Sequence, residues 1–113
     1  MELVAFVGSD QENVSQVAGL VKKGGWEKVI LVGMKHLSLG QPSEFISVNP
    51  GDRIVEMRND IKRKLKGKIL GTEVALSIAS GTGKEHMALI SALLSLPVGI
   101  RFTALTREGV VEL

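Results

Sequence analysis

The clearest structural signal in the chain is Leu3-Val4-Ala5-Phe6-Val7-Gly8-Ser9-Asp10. A short, uninterrupted apolar run of this kind is typical of a strand that is buried on both faces of a parallel sheet. The glycine then ends the strand, and Ser9 or Asp10 can cap a following helix. The opening of the chain therefore predicts a strand, a turn and a helix in that order.

The rest of the chain repeats this alternation of strand and helix. Apolar residues at helical spacing predict three helices: one that stops at Gly24-Gly25, one that starts after the turn at Asn49–Asp52, and one over Met87–Leu96. The third helix is apolar nearly all round, which predicts that it is buried, either against the sheet or in part under the second subunit of a two-fold dimer. Further apolar runs predict strands at Val29–Val32, Phe45–Val48, Val74–Ile78 and Ile100–Ala104, a loop over Met34–Glu44, and a last strand at Val110–Leu113.

Together these elements predict one α/β domain over residues 1–113 with a mainly parallel central sheet. Three apolar runs lack the polar alternation of a one-sided sheet, so the inner strands should be Leu3–Val7, Val29–Val32 and Val74–Ile78. The turn at Arg107–Gly109 makes the last two strands an antiparallel hairpin at an edge of the sheet.

Composition excludes several classes of function. The chain has no cysteine, which rules out disulfides, thiolate nucleophiles and zinc sites built on cysteine. The formal net charge of +2 does not predict binding to long nucleic acid. No apolar run is long enough to span a bilayer, and the first residues lack the basic region and cleavage site of a signal peptide. The expected location is the cytoplasm.

Three loops are candidates for a ligand site, because ligands of open parallel sheets bind beyond the carboxyl ends of the strands. They follow the first, second and fourth predicted strands. The candidate ligand-binding residues in them are Gly8, Ser9, Asp10, Gln11, Gly33, Met34, Lys35, Ser80, Gly81, Thr82, Gly83 and Lys84.

The Ser80–Lys84 loop carries the strongest signal of the three. Its two glycines allow the backbone to approach a ligand, successive N–H groups can point at an anion, and the dipole of the following helix favours negative charge. The loop also offers two hydroxyls and the Lys84 ammonium. These features favour a phosphate-bearing ligand, although a tight turn that needs glycine only for packing remains the alternative. Ser9 has a similar alternative role as a helix cap.

Two common nucleotide motifs and a metal site are not present. A P-loop would need glycine where Ile78 stands and a serine or threonine where Glu85 stands. Gly8–Gln11 lacks the second and third glycines of a dinucleotide fingerprint. The only histidines, His36 and His86, are not spaced as a metal pair and have no carboxylate cluster beside them. We therefore expect no metal and no cofactor.

Two stretches of the chain resemble the CARF domain (CRISPR-associated Rossmann fold). They are Phe6-Val7-Gly8-Ser9-Asp10-Gln11 with the helix and strand after it, and Val74–Lys84, where the family has a strand ending in a Thr-Gly-Gly-Thr-Lys-like loop. The resemblance covers essentially the whole chain, in order. The loop departs from the family pattern by reading Ser-Gly-Thr-Gly-Lys. In one register Ser80, Gly81 and Lys84 match the motif; in the other, Ala79–Thr82 match and Gly83 stands where lysine is expected.

The resemblance implies a Rossmann-like, three-layer fold and a homodimer that binds cyclic oligoadenylate across its two-fold axis. It also implies a possible ring nuclease activity, in which a ribose 2′-hydroxyl attacks the adjacent phosphate without a metal. In that reaction Ser9 would hold the reacting group and Lys84 would stabilise the developing negative charge. The alternatives are a non-catalytic sensor that acts with a separate effector, and an unrelated small protein that binds a mononucleotide.

Overall fold

The structure is a computed structural model that describes residues 1–34 and 42–113. In these ranges strands and helices alternate, as the apolar pattern predicts. The elements in chain order are β1 (Glu2–Val7), α1 (Gln11–Lys23), β2 (Lys28–Gly33), β3 (Glu44–Ser47), α2 (Ile54–Leu65), β4 (Glu73–Ser77), α3 (Gly83–Ser95), β5 (Gly99–Thr106) and β6 (Gly109–Glu112).

The strands form one mixed, six-stranded sheet in the order β3-β2-β1-β4-β5-β6. Neighbouring strands are parallel except β5 and β6, which pair as an antiparallel hairpin at one edge. β1 lies between β2 and β4, and every residue of β1 is buried. The fold class is therefore confirmed as a Rossmann-like α/β domain, and the three predicted inner strands lie inside the sheet.

Side chains of β1 alternate between two cores, which makes the domain three-layered. Val4 and Phe6 pack with the buried faces of α2 and α3, whereas Leu3, Ala5 and Val7 pack with α1. Burying a side chain of Leu or Phe size stabilises the fold by roughly 1.5–3 kcal/mol. A strand that contributes to both cores has no polar face, so its sequence reads as one continuous apolar run.

The boundaries of several elements differ slightly from the expectation. β3 begins at Glu44, inside the predicted loop, and β4 ends at Ser77 rather than Ile78. The rest of the predicted loop after Met34 falls largely on residues 35–41, which lie outside the described ranges, as do the candidate ligand residue Lys35 and the histidine His36.

The prediction that the third helix is buried is wrong for the single chain. Ala88, Leu89, Ala92 and Leu93 form the stripe of α3 that faces the core, and none of them is exposed. Met87 and Leu94, on another face of the helix, keep 63% and 60% of their surface exposed. α3 therefore has two apolar faces, and the described part of the chain covers only one of them. Among the described helices, none combines the length and apolar character needed to cross a membrane.

Candidate functional site

The sheet topology brings two of the predicted loops together at one point. β1 pairs with β2 on one side and with β4 on the other. From β1 the chain builds the sheet in one direction, through β2 and β3. It then crosses back and places β4 on the other side of β1, so the direction of strand order reverses between β1 and β4. In open α/β sheets ligands bind at such a switch point, outside the carboxyl ends of the strands. The loops that follow β1 and β4 meet there.

A cleft of about 360 Å³ opens at this switch point. Its lining comes from the loops after β1, β2 and β4, as predicted, and from the turn after β3, which the sequence pattern did not indicate. The lining residues are Ser9, Asp10, Met34, Pro50, Gly81, Thr82, Lys84 and Glu85.

The two main loops are joined by the carboxylate of Asp10. Ser80 donates its hydroxyl hydrogen to Asp10 Oδ1 at 2.7 Å, and the Gly81 N–H donates to the same oxygen at 3.1 Å. The Asn13 side-chain amide donates to Asp10 Oδ2 at 2.8 Å. Asp10 is thus the residue before α1, as expected of a cap, but its side chain makes no capping bond to the helix backbone.

These hydrogen bonds favour the ionised form of Asp10. The bond from Ser80, followed by that from Asn13, lowers the pKa of Asp10 from 3.8 to about 2. The carboxyl group is therefore ionised throughout the physiological range. A carboxylate with so low a pKa is a weak base, so its position indicates a fixed acceptor of hydrogen bonds rather than a group that takes up a proton.

Ser80 lies beneath the cleft rather than on it. None of its surface is exposed, and its Oγ accepts the Gly8 N–H at 2.8 Å while the hydroxyl hydrogen goes to Asp10. Its carbonyl oxygen accepts the Nε2–H of His86 at 2.7 Å. The hydroxyl of Ser80 therefore bonds to other groups of the protein and is not exposed to a ligand in the cleft.

Close packing between the two loops explains two of the glycines. A Cβ on Gly8 would lie 2.8 Å from the Gly81 Cα atom, inside the contact distance of real side chains. Gly81 has a φ of 106°, and a Cβ there would lie 2.6 Å from a ring carbon of Phe6. The packing alternative for these glycines thus has direct structural support, and it is compatible with a ligand above them.

The N-terminus of α3 supplies some of its own capping groups. The Thr82 hydroxyl accepts the Glu85 N–H at 3.4 Å, and Glu85 Oε1 accepts the Thr82 N–H at 2.8 Å, which forms a capping box. The sequence Thr82-Gly83-Lys84-Glu85 carries the signature of this motif, and it was the signal that could have identified Glu85. Within the described residues, the N–H groups of Gly83 and Lys84 have no partner and remain available to a ligand.

Ser9 and Lys84 line the same cleft, and both side chains are exposed. The Ser9 hydroxyl has no hydrogen-bond partner among the described residues. Lys84 Nζ donates to the carbonyl oxygens of Pro50, at 3.1 Å, and Asp52, at 2.9 Å. An ammonium group has three donors, so one N–H of Lys84 is left for a ligand.

The other predicted site residues lie around the cleft rather than in its lining. Gly8 is below it, Gln11 is the exposed first residue of α1, and Gly33 is buried at the end of β2. Gly83 borders a neighbouring hollow along α3 together with Met87 and Leu94. In the described ranges, no group of three or more His, Cys, Asp or Glu side chains could hold a metal ion.

Comparison with known proteins adds no relative to this picture. No family model matches the chain, and no curated protein matches its sequence.

Proposed function

We propose that the protein binds a phosphate-bearing nucleotide ligand in the switch-point cleft, and that this ligand is a cyclic oligoadenylate. The observation that carries the proposal is that, in the described part of the chain, the Ser9 hydroxyl without a partner and the Lys84 ammonium with one donor to spare line one cleft at the N-terminus of α3. A helix N-terminus with free N–H groups beside a lysine favours a phosphate oxygen. The adenylate ring is suggested by the resemblance of both cleft loops to the CARF domain.

The charges around the cleft limit how the ligand can approach. Asp10 and Glu85 contribute two carboxylates, and Lys84 contributes one ammonium. Both carboxylates accept hydrogen bonds from the chain, which disperses their charge. A phosphate would therefore bind on the Lys84 side, near the free N–H groups of Gly83 and Lys84, and a sugar hydroxyl would bind near Ser9.

A cyclic ligand calls for a second copy of the cleft. A cleft of about 360 Å³ is near the lower end of small-molecule sites, so one chain encloses only part of an oligonucleotide ring. We therefore propose a two-fold homodimer in which each subunit offers the same loops to a symmetric ligand. The exposed apolar face of α3 supports this proposal: it carries Met87 and Leu94, and has no charged residue from Met87 to Leu96. The hollow along this face begins at Gly83, which stands in the sequence between the cleft residues Thr82 and Lys84.

A second candidate function is cleavage of the ring in the same cleft. The unpaired Ser9 hydroxyl favours it, because that group could orient a ribose 2′-hydroxyl for attack on the adjacent phosphate. Attack by the 2′-oxygen would form the O2′–P bond of a 2′,3′-cyclic phosphate and break the P–O5′ bond. The 2′-hydroxyl gives up its proton to water and the leaving 5′-oxygen takes one from water, so no net proton is consumed. The Lys84 ammonium and the N-terminus of α3 would stabilise the negative charge on the phosphate.

Incubation with labelled cyclic tetra-adenylate, followed by separation of the products, tests both functions. Binding without product supports the sensor, and linear product supports the ring nuclease. If the protein neither binds nor cleaves the ring, the proposed ligand is refuted. Linear tetra-adenylate and ATP are the matched controls, since they carry the same base and phosphate groups without the ring. Tighter binding of ATP than of the ring would instead favour the mononucleotide alternative.

Replacement of Ser9 by Ala separates the two candidates. In a sensor, the loss of one hydrogen bond should weaken binding by about 0.5–1.5 kcal/mol. In a nuclease, a poorly held 2′-hydroxyl should slow single-turnover cleavage on the order of a hundredfold while affinity changes little. An unchanged cleavage rate would remove Ser9 from the reaction.

The homodimer is tested by sedimentation at micromolar concentration. We expect a dimer for the unmodified chain and a monomer for Leu94→Arg, because a charge would be placed on the apolar face of α3. Leu70→Arg is the matched control: Leu70 is 85% exposed in the loop before β4 and should tolerate the change. A monomeric unmodified chain would contradict the proposal.

A further inference from the structure

We infer that Asp10 is a positioning residue, whose carboxylate holds the loop after β1 and the loop after β4 in the arrangement that gives Ser9 and Lys84 a common cleft. The effect on ligand affinity rests on the proposed function, whereas the effect on the loops does not. Neither composition nor the resemblance assigns this role to Asp10.

The inference starts from where the partners of the carboxylate lie. Asp10 Oδ1 accepts from the Ser80 hydroxyl at 2.7 Å and from the Gly81 N–H at 3.1 Å, and both donors belong to the loop after β4. Asp10 Oδ2 accepts from Asn13 at 2.8 Å, in the first turn of α1. One side chain thus joins the start of α1 to the loop that leads into α3. Hydrogen bonds to an ionised acceptor are about twice as strong as neutral ones.

The buried hydroxyl of Ser80 extends this connection below the cleft. It receives the Gly8 N–H at 2.8 Å and passes its own hydrogen to Asp10, so Gly8, Ser80 and Asp10 form a chain of donors and acceptors. Because Ser80 is fully buried, water cannot replace Gly8 or Asp10 as a hydrogen-bond partner of its hydroxyl. Ser9 lies between Gly8 and Asp10 in the sequence, so both of its neighbours are held by the loop after β4.

A direct role of Asp10 in ligand contact makes the opposite prediction. A carboxylate that faces a phosphate repels it, so removing the charge should strengthen binding of an anionic ligand. A positioning carboxylate should instead be required for binding, while a neutral acceptor of the same shape should replace it. The replacements Asp10→Ala and Asp10→Asn therefore distinguish the two roles by the sign of the change in affinity.

The binding experiment compares three variants at a temperature where all are folded, with cyclic tetra-adenylate as the probe. We expect Asp10→Ala to weaken binding at least about tenfold, because Ser80 and Gly81 lose a charged acceptor. Asp10→Asn should weaken binding clearly less than Asp10→Ala does, since its amide oxygen can still accept from Ser80 and Gly81, although as neutral hydrogen bonds. Glu12→Ala, which removes an exposed carboxylate from the same turn, is the control and should not weaken binding. Equal or tighter binding by Asp10→Ala would overturn the inference.

A second measurement needs no ligand and follows amide hydrogen exchange by NMR. The Gly81 N–H should exchange about tenfold or more faster in Asp10→Ala than in the unmodified protein or in Glu12→Ala. Unchanged protection of Gly81 in Asp10→Ala would refute the role of Asp10, whatever the binding data. If the unmodified protein binds no ring but Gly81 behaves as expected, the proposed function fails and the role of Asp10 in holding the loops stands. Should Asp10→Ala not fold, Ser80→Ala removes the Ser80 bond to Asp10 and leaves the Gly81 bond, and it should weaken ring binding; unchanged ring binding by this variant would overturn the inference.

Discussion

Replacement of Ser80 by Ala removes a single oxygen atom from the centre of the site. Ser80 has no exposed surface, and its Oγ both accepts the Gly8 N–H at 2.8 Å and donates to Asp10 Oδ1 at 2.7 Å. The substitution therefore leaves the partly buried Gly8 N–H without its partner. It also withdraws the bond that contributes most to the low pKa of Asp10.

The size of the effect follows from the two bonds that are lost. A neutral hydrogen bond contributes about 0.5–1.5 kcal/mol, and one to a charged group about 1.5–3 kcal/mol. The free energy of unfolding should therefore fall by roughly 2–4.5 kcal/mol. With a urea m-value of about 2 kcal/mol/M, in the middle of the range for small domains, the midpoint of unfolding should fall by about 1–2 M.

Urea unfolding followed by circular dichroism measures this change. Ser95→Ala is the matched control, because the hydroxyl of Ser95 is exposed and, among the described residues, bonds only to the carbonyl oxygen of Ser91 in its own helix. That variant should change stability by less than about 0.5 kcal/mol. In Ser80→Ala, an NMR titration should also find the pKa of Asp10 raised from about 2 towards 3.8. A loss of stability no larger than that of the control, or an unmoved pKa of Asp10, would refute the reasoning.

Three further predictions follow from the same region. Gly33→Ala should lower the free energy of unfolding by about 1–3 kcal/mol in thermal unfolding, because the new Cβ would lie 2.2 Å from the Val7 carbonyl oxygen; Gly83→Ala, which meets nothing within 4 Å, is the control. The folded-state pKa of Asp10, about 2, is below its ordinary 3.8, so its ionised form stabilises the fold above about pH 4 and this contribution is lost as the pH falls through 2. The difference in unfolding free energy between the unmodified protein and Asp10→Asn should shrink over that interval. Lys84→Ala should weaken binding of the ring and make the slope of log affinity against log salt shallower by about 0.7–1, as measured by titration at several salt concentrations.

The sheet could be predicted because its signals are local. β1 is buried on both faces, so five successive residues from Leu3 to Val7 carry the information, and no distant contact is needed to interpret them. The turn at Arg107–Gly109 likewise identified the hairpin from adjacent residues. What adjacent residues do not specify is the order of the strands, which depends on crossovers between distant parts of the chain.

The error on α3 has a different physical origin. Its apolar residues fall into two stripes: Ala88, Leu89, Ala92 and Leu93 face the core, while Met87 and Leu94 repeat at a spacing of seven, two helical turns apart. A helix that is apolar on nearly all sides is expected to have most of its surface covered. The pattern does not indicate whether the rest of the same chain or another molecule covers it.

The site was harder to predict than the sheet because its decisive contacts join residues that are far apart in sequence. Asp10 follows Gly8-Ser9 and directly precedes α1, so the local pattern predicts a cap, yet its strongest partner, Ser80, is 70 residues away. That contact changes the chemistry available to a ligand. The loop sequence predicts that the N–H groups of Gly81 and Thr82 can bind an anion. In the structure they donate hydrogen bonds to the carboxylates of Asp10 and Glu85. Under the proposed function, a phosphate would bind fewer groups than the loop sequence suggests. Within the described residues these are the Ser9 hydroxyl, the Lys84 ammonium and the N–H groups of Gly83 and Lys84. Because so few groups remain, each should contribute a larger share of the affinity, and their relative positions should matter more than their number.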